Sequence, residues 1–319
     1  MTRVVFLLVP GLHLLDLAGP AQVFGMAADA GLPYRLAYVA DQPAPPDPQE
    51  TPPPSPGAPA TVPTAQGVPL QAPTAWPGLT AGDIVLVPGW RWGADEPHAP
   101  PVSDGAARRL AAHHAAGGAV ASVCAGAFAL AHAGLLDGRR CTTHHELQDA
   151  LARRHPRAAV VRDVLYVTDG RVITSAGIAS GIDLALHLVA SRHGPGAAAR
   201  TARAMVVYAR RNGDEPQASA LLRHRAHVSD AVHRAQDLID ARYTLPLPLH
   251  ALAAEAGVSE RTLTRRFTAA TGLTPLRYQQ ELRVERAEHL IGQGATADAA
   301  ARAVGFTDAR MLRRLRART

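Results

Sequence analysis

Lysine is missing from this sequence, since all 33 of its basic residues are arginines. Alanine, glycine and proline are abundant beside arginine, so we attribute the missing lysine mainly to the codon bias of a GC-rich genome. Cysteine is nearly as scarce, and the two that occur, Cys124 and Cys141, do not make a disulfide framework. The low cysteine count indicates a reducing compartment, which we expect to be the cytoplasm.

Long apolar runs are lacking as well. The apolar stretch from Val4 to Pro10 is too short to span a membrane, and no signal-peptide cleavage pattern follows it. The 15 histidines show no zinc-ligand spacing, and the sequence has no glycine-rich phosphate motif. We therefore expect no membrane association, no bound metal and no nucleotide cofactor.

The length and composition suit two domains with cores of their own, because 319 residues with 47% apolar and 19% charged side chains are typical of globular chains. Positive charge is concentrated towards the C-terminal end. Residues 1–225 hold 19 arginines against 17 acidic residues, whereas residues 226–319 hold 14 against 10. This excess of arginine in the shorter part is the electrostatic footprint of a DNA-binding region.

The N-terminal region alternates short apolar strands with helices. Its continuous β-branched and apolar runs at 4–9, 84–87 and 120–123 are typical of strands buried on both faces. The alternation predicts an α/β fold with a doubly wound, mostly parallel, flavodoxin-like sheet. The dipeptide Asp169-Gly170 predicts a two-residue hairpin turn.

Changes in composition predict the domain boundaries. We expect the α/β domain to span residues 1–210, a polar linker to span 211–226, and an all-helical domain to span 227–319. Between Asp41 and Thr64 the sequence has ten prolines in 24 residues. That composition predicts an exposed, partly disordered loop.

The segment from Pro248 to Pro275 predicts a helix-turn-helix. An apolar stripe at helical spacing marks the first helix, Gly257 offers a left-handed cap, and Ser259 offers an N-cap for the second helix. The second helix places polar residues on its exposed face: Arg261, Thr264 and Arg265. Such a face fits a groove of DNA. The alternative is a helical hairpin with a solvated basic face.

An internal repeat argues against that alternative. The pattern A-x-x-x-G-V-S-E at 253–260 returns 48 residues later as A-x-x-x-G-F-T-D at 301–308. We therefore expect two helix-turn-helix units, joined by a helix at about 275–292. The second unit offers a basic face of its own: Arg310, Arg313 and Arg314. Two units about one helical turn apart can enter successive major grooves of promoter DNA.

The helical region resembles the AraC/XylS family of transcription regulators. The resemblance rests on LAAEAGVSERTLTRRF in the first unit, the TGLTP that follows it, and AVGF in the second unit. In that family a tail completes the last helix, and an aromatic core residue stands where this chain has Arg316. We therefore expect the second unit to be frayed or weaker in DNA contact.

The N-terminal region resembles the PfpI-like branch of the class I glutamine amidotransferase-like fold. The matching segments are Pro10-Gly11, LLDLAGP at 14–20, SVCAGAF at 122–128, TTH at 142–144 and TSAG at 174–177. Together the two halves resemble GlxA-like regulators of the AraC type over essentially the whole chain. The resemblance implies a regulator of a metabolic operon that dimerises through its α/β domain and senses there a small metabolite, an amine or amino-acid-like compound.

Cys124 is the candidate functional residue of the α/β domain. It stands between a buried strand and a helix, the position of a strained nucleophile elbow, where a helix N-terminus lowers the pKa of a thiol. Asp16 matches the position where relatives place an acid beside that thiol, and His144 or His145 is a second candidate partner. We expect a ligand site that includes Asp16, Cys124, Ala125 and His144.

Three functions are open for Cys124. It is a pocket residue of a ligand sensor, the catalytic cysteine of a hydrolase or hydratase with an appended DNA-binding domain, or a redox sensor. Amidases and proteases of this superfamily have His directly after the cysteine and hydratases have Thr, whereas this chain has Ala125. Because this partner is missing, we favour a homodimeric, effector-responsive regulator without enzyme activity.

Overall fold

The chain forms two compact units, Met1–Gln217 and Ala218–Thr319, called the first and second unit below. The computed structural model describes residues 1–41, 59–91, 102–207, 211–215, 217, 224–225, 227–292 and 294–317. Among these residues no helix is both long enough and apolar enough to cross a bilayer. Within the same ranges, no group of three or more metal-ligating side chains comes together.

The first unit is built on strands. They are β1 (Thr2–Leu8), β2 (Tyr34–Ala40), β3 (Pro59–Val62), β4 (Leu70–Pro73), β5 (Ile84–Val87), β6 (Ala119–Val123), β7 (Arg140–Cys141), β8 (Ala159–Val160), β9 (Tyr166–Asp169) and β10 (Val172–Ser175). The main sheet has the order β2-β1-β5-β6-β10-β9, and its neighbours are parallel except for β9 and β10. Every residue of β5 and β6 is buried, so both faces of the sheet are covered. The predicted doubly wound, mostly parallel sheet is confirmed.

Helices cover this sheet. They are α1 (Leu14–Asp29), α2 (Asp104–Ala115), α3 (Gly126–His132), α4 (Gln148–Arg154), α5 (Ser180–His193) and α6 (Pro195–Ala204). α1 packs against α5 and α6, whereas α2 packs against α3. The antiparallel strands β9 and β10 are joined by a two-residue turn, and Gly170 in it has a φ of 61°. The predicted hairpin is present, but its turn is Gly170-Arg171 rather than Asp169-Gly170, because Asp169 still pairs with Val172.

The proline-rich segment departs in part from the prediction of an exposed loop. Residues 42–58 lie outside the described residues. Beyond them β3 pairs with β4 and buries Ala60 and Val62, which are 4% and 2% exposed. The loop prediction is wrong for Pro59–Val62, because alternate residues of this strand face the core and only the others are exposed.

The second unit is helical. Its helices are α7 (Asp230–Arg242), α8 (Leu249–Ala256), α9 (Glu260–Thr271), α10 (Pro275–Gly292), α11 (Ala297–Ala303) and α12 (Ala309–Arg316). Two apolar cores are present, one around Leu263 and Phe267 and one around Leu312 and Leu315. α10 contributes to both cores, with Tyr278 in the first and Ala287 in the second. The predicted pair of helix-turn-helix units on a joining helix is therefore present.

Both ends of the expected linker at 211–226 are hydrogen-bonded in the structure. Arg211 donates to the carboxylate of Asp183 within the first unit, at 2.7 Å from Nη2 and 3.0 Å from Nε. Arg225 donates to Asp237 and Asp240 within the second unit, at 2.6 and 2.5 Å. The domain boundary at residue 210 and the linker at 211–226 remain predictions.

Candidate functional site

The first helix-turn-helix is shaped by two caps. Gly257 ends α8 with a φ of 67°, a left-handed conformation that favours a residue without Cβ. The hydroxyl of Ser259 then accepts a hydrogen bond from the Thr262 amide at 3.3 Å and begins α9. Leu263 and Phe267 are fully buried, so α9 has a fixed rotation about its own axis.

That rotation leaves two of the three predicted DNA-contact residues of α9 exposed. Arg261 and Arg265 are exposed, whereas Thr264 is half-buried. The Thr264 hydroxyl donates to the carbonyl of Glu260 at 2.9 Å, one helical turn earlier. Thr264 therefore offers only its methyl group and hydroxyl lone pairs to a ligand.

The second helix-turn-helix repeats this arrangement with different residues. Gly305 has a φ of 88°, and the carboxylate of Asp308 caps α12 by accepting from the amides of Arg310 and Met311 at 2.8 and 3.1 Å. The predicted contact residues of this helix are all exposed: Arg310, Arg313 and Arg314. α12 is helical through Arg316, whose guanidinium pairs with Glu288 at 3.0 Å. The expected weaker DNA contact remains a prediction.

Arg283, which the sequence analysis did not single out, ties the two helix-turn-helix units together. From α10 its guanidinium donates to the carbonyls of Tyr243 at 2.6 Å, Leu245 at 3.0 Å and Gly305 at 3.0 Å. It also lies 5.5 Å from the centre of the Phe306 ring. Only tertiary contacts mark this residue, because its partners lie 22 to 40 positions away.

The candidate site of the first unit is centred on Cys124. This residue joins β6 to α3 with a φ of 54°, so it occupies the strained elbow that the sequence predicts. Its amide donates to the carbonyl of Ser175 at 3.0 Å, and its carbonyl accepts from the Thr143 hydroxyl at 2.8 Å. Close packing holds the elbow, since a Cβ added to Gly177 would lie 2.6 Å from the Cys124 Cβ.

Asp16, in the first turn of α1, lies near Cys124. Its carboxylate accepts from the amide of Gly89 at 3.1 Å and from the amide of Ile178 at 2.8 Å. An added Cβ on Gly89 would press against both Asp16 Oδ2 and the Cys124 Cβ, so a residue without Cβ is needed where these two side chains lie. Burial raises the pKa of Asp16 to about 6, because the two amide hydrogen bonds only partly offset desolvation.

The expected lowering of the Cys124 pKa is wrong. Burial, and next the neighbouring Asp16 carboxylate, raises the pKa of this thiol above its usual range. Only 6% of the residue is exposed, so desolvation outweighs the helix N-terminus that follows it. At neutral pH Cys124 is therefore a thiol.

A cavity of about 210 Å³ lies next to this elbow. It is lined by His144 and His145 and by the backbone segment 176–180, which includes Gly177 against Cys124. Burial lowers the pKa of His144, so its ring is neutral at pH 7. Asp16 and Ala125 are fully buried and do not line the cavity. Of the four expected ligand residues, only His144 faces it directly, and all four remain predictions.

Taken together, these features define a class: an α/β protein with a cysteine elbow, followed by a helical unit with two helix-turn-helix motifs. The family model described as the DJ-1/PfpI family matches residues 2–191, more than half of the chain. The chain belongs to the DJ-1/PfpI family. A second model, described as a helix-turn-helix domain, matches residues 252–319. The resemblance stated from the sequence is thereby confirmed for both parts.

Curated relatives carry both regulatory and enzymatic names. The HTH-type transcriptional regulator GbdR of Pseudomonas aeruginosa is 33% identical over 173 residues, which are 54% of this chain and 47% of the relative. The HTH-type transcriptional regulator GlxA of Rhizobium meliloti is 30% identical over 174 residues, 54% of this chain and 53% of the relative. Isonitrile hydratase of Pseudomonas putida is 44% identical over 72 residues, 22% of this chain and 29% of the relative. The chain thus spans about half the length of the regulators it matches.

Proposed function

We propose that this protein is a sequence-specific DNA-binding transcription regulator whose first unit binds a small effector. The observation that carries the proposal is the pair of helix-turn-helix units on α10, each with arginines exposed on its second helix. The names of GbdR and GlxA support the same function. The protein would act in the cytoplasm on promoter DNA of a metabolic operon.

Each second helix takes the role of a recognition helix. On α9, Arg261 and Arg265 donate to guanine edges or phosphates, and the methyl group of Thr264 suits contact with a thymine methyl. On α12, Arg310, Arg313 and Arg314 supply the corresponding contacts. Arginine suits both tasks because its planar fork can make two parallel hydrogen bonds.

The first unit would supply the effector site and the dimer contact. The cavity beside Cys124 is concave and partly apolar, as sites for small molecules generally are. An amine or amino-acid-like effector bound there would change the arrangement of a homodimer, and with it the affinity for DNA.

The replacement Arg265→Ala tests the assignment of α9. If Arg265 contacts a base, we expect the variant to lose about 1–3 kcal/mol of specific binding and to relax its preference at one base pair. Fluorescence anisotropy with duplexes selected from random sequence by the wild-type protein measures both quantities.

Arg35→Ala is the matched control, because it removes one exposed arginine from the first unit. We expect its affinity and sequence preference to equal those of the wild type. If Arg265→Ala also matches the wild type in both, the contact assignment is wrong. If the wild-type protein selects no sequence at all, the regulator proposal is wrong.

A cysteine-dependent hydratase or hydrolase is the second candidate function, favoured by the identity to isonitrile hydratase over 72 residues. Three features weigh against it: the buried thiol, its raised pKa, and Ala125 where enzymes of the superfamily place a partner. The first two also reduce the peroxide reactivity that a redox sensor needs. Turnover of an isonitrile or amide that disappears in Cys124→Ala would support the enzyme.

A further inference from the structure

The last segment of the first unit is bound down along its length. We call residues 211–215 and 217 the strap. At its beginning Arg211 holds the buried carboxylate of Asp183 with three hydrogen bonds, from its amide at 2.9 Å, Nε at 3.0 Å and Nη2 at 2.7 Å. The strap is therefore anchored to α5 at its first residue.

The middle of the strap is anchored beside β9. The carbonyl of Gly213 accepts from the amides of Leu165 at 2.8 Å and Tyr166 at 3.2 Å. An added Cβ on Gly213 would lie 2.7 Å from the Tyr166 carbonyl oxygen, so the backbones approach as closely as glycine permits.

Gln217 anchors the end of the strap. Its amide donates to Asp163 Oδ1 at 3.0 Å, and its Nε2 donates to the carbonyls of Thr143 at 3.0 Å and Val164 at 3.1 Å. Its Oε1 is buried without a hydrogen-bond partner among the described residues. Because two carbonyls already face Nε2, flipping the amide would not satisfy this oxygen.

Both ends of the strap wall the cavity beside Cys124. Arg211 and Gln217 line it together with the two histidines and segment 176–180. None of the described residues that line the cavity is acidic. Among the described residues, Arg211 Nη1 makes no hydrogen bond, and 36% of the Arg211 side chain is exposed. The lining thus includes, in the part of the chain that the structure describes, an arginine with one guanidinium nitrogen outside any hydrogen bond and a glutamine whose buried Oε1 lacks a partner.

We propose that the strap forms the side of the effector site that recognises the ligand. A small molecule with a carboxylate and an N–H donor binds in the cavity, where its carboxylate accepts from Arg211 and its N–H donates to Gln217 Oε1. The cavity volume of about 210 Å³ lies below the 300–1,000 Å³ of drug-sized sites, so the ligand is small. Occupancy holds the strap against β9, because the ligand satisfies a buried oxygen that otherwise lacks a partner.

The consequence for DNA rests on the proposed regulator function. Gln217 is the last residue of the first unit, and the chain continues directly into the second unit. A ligand that binds the strap therefore acts on the residues adjacent to the DNA-binding unit. Strap docking and ligand binding must be coupled equally in both directions.

Hydrogen exchange and calorimetry on the full chain test the strap. The probes are glycine, β-alanine and γ-aminobutyrate, with acetate and methylamine as controls that each carry only one of the two groups. We expect at least one amino-acid probe to bind at least about tenfold more tightly than either control. The same probe should slow exchange of the Leu165 and Tyr166 amides, which donate to Gly213.

Gln217→Glu replaces the Nε2 donor with a carboxylate oxygen that faces the carbonyls of Thr143 and Val164. Gln217→Met removes the Nε2 donor without adding charge. We expect both variants to weaken the probe about tenfold and to speed exchange at Leu165 and Tyr166. Gln71→Met is the matched control outside the strap, since Gln71 is exposed on β4 and does not line the cavity. It should leave affinity and exchange unchanged.

Several outcomes would overturn the proposal: no binding by any amino-acid probe, equal binding of acetate, or wild-type affinity and exchange in both Gln217 variants. Each of these is measured without DNA. A wild-type protein that selects a DNA sequence while the strap variants behave as wild type retains the regulator function and rejects the strap. A protein that binds the probe but selects no DNA sequence retains the strap proposal and rejects the regulator function.

Discussion

At the scale of single residues, the burial of Asp16 near Cys124 determines the protonation of the candidate site in the first unit. Both side chains are buried against Gly89, and burial, followed by the Asp16 carboxylate, raises the pKa of the Cys124 thiol. Asp16 is the easier of the two to ionise, because a carboxylic acid is intrinsically more acidic than a thiol and because two backbone amides also donate to its carboxylate. A neutral thiol beside an acid that titrates near neutrality suits a binding site better than nucleophilic catalysis.

The stability of the first unit should therefore decrease as pH rises from about 4 to about 6. In this window the unfolded Asp16 loses its proton near 3.8, while the folded carboxyl keeps it up to about 6. The difference between the two pKa values corresponds to a loss of about 3 kcal/mol in the free energy of unfolding. This loss is complete once the pH is above about 6. All three tryptophans lie before residue 93, so tryptophan fluorescence during urea unfolding reports on the first unit alone.

Asp16→Asn should remove this decrease, whereas Asp29→Asn, which replaces an exposed acid on the same helix, should retain it. Comparing the pH dependence of each variant separates the titration from any constant effect of the substitution. A decrease that persists unchanged in Asp16→Asn would assign it to another group.

At the scale of elements, α10 joins the two helix-turn-helix motifs and so determines the spacing of their second helices, α9 and α12. One side chain, Arg283, fixes it from the middle of the helix by binding the segment before α8 and the turn before α12 at once. Gly305 makes this possible, because an added Cβ there would press against the carbonyl of Thr244. The spacing therefore depends on backbone carbonyls held by one guanidinium.

Arg283→Met should loosen the second helix-turn-helix. Losing three hydrogen bonds to a charged donor should cost about 2 kcal/mol, since the freed carbonyls can bind water in part. Amide exchange across residues 297–316 should accelerate roughly 30-fold. Arg286→Met is the control on the same helix, because the Arg286 side chain has no hydrogen bond within the described residues; its exchange should stay at the wild-type rate.

At the scale of the whole molecule, the second unit contains two helix-turn-helix motifs, and the first unit contains a cavity lined in part by its last residues, Arg211 and Gln217. The DJ-1/PfpI family model matches residues 2–191 of the first unit, and the helix-turn-helix model matches residues 252–319 of the second. A regulator built in this way would bind DNA at two points and respond to its ligand at a third.

Two-point binding predicts two protected half-sites about 10 base pairs apart in a nuclease footprint. Arg313→Ala should weaken protection at one half-site and Arg265→Ala at the other. Because the two residues are expected to act independently, the double variant should lose the sum of the two free energies within about 0.5 kcal/mol. Loss of protection at the same base pairs in both variants would contradict the arrangement.

The sequence by itself determined the elements and their repetition. Runs such as Ile84–Val87, the caps at Gly257 and Ser259, and the 48-residue repeat depend on neighbouring residues, so local chemistry was sufficient to predict them. The elbow at Cys124 belongs to the same group. The strand at Pro59–Val62 was missed, because the high proline content of the segment favoured a loop and the alternation of buried and exposed residues is only four residues long.

Only the tertiary structure decided which groups meet. Asp16 reaches Gly89 and Ile178 from 73 and 162 positions away, and Arg211 reaches Asp183 from 28. The direction of the Cys124 pKa was also decided there, because desolvation depends on everything packed around a group, whereas a helix N-terminus can be recognised from sequence. The spacing of residues along the chain does not predict such contacts, because the packing of the whole unit brings these residues together.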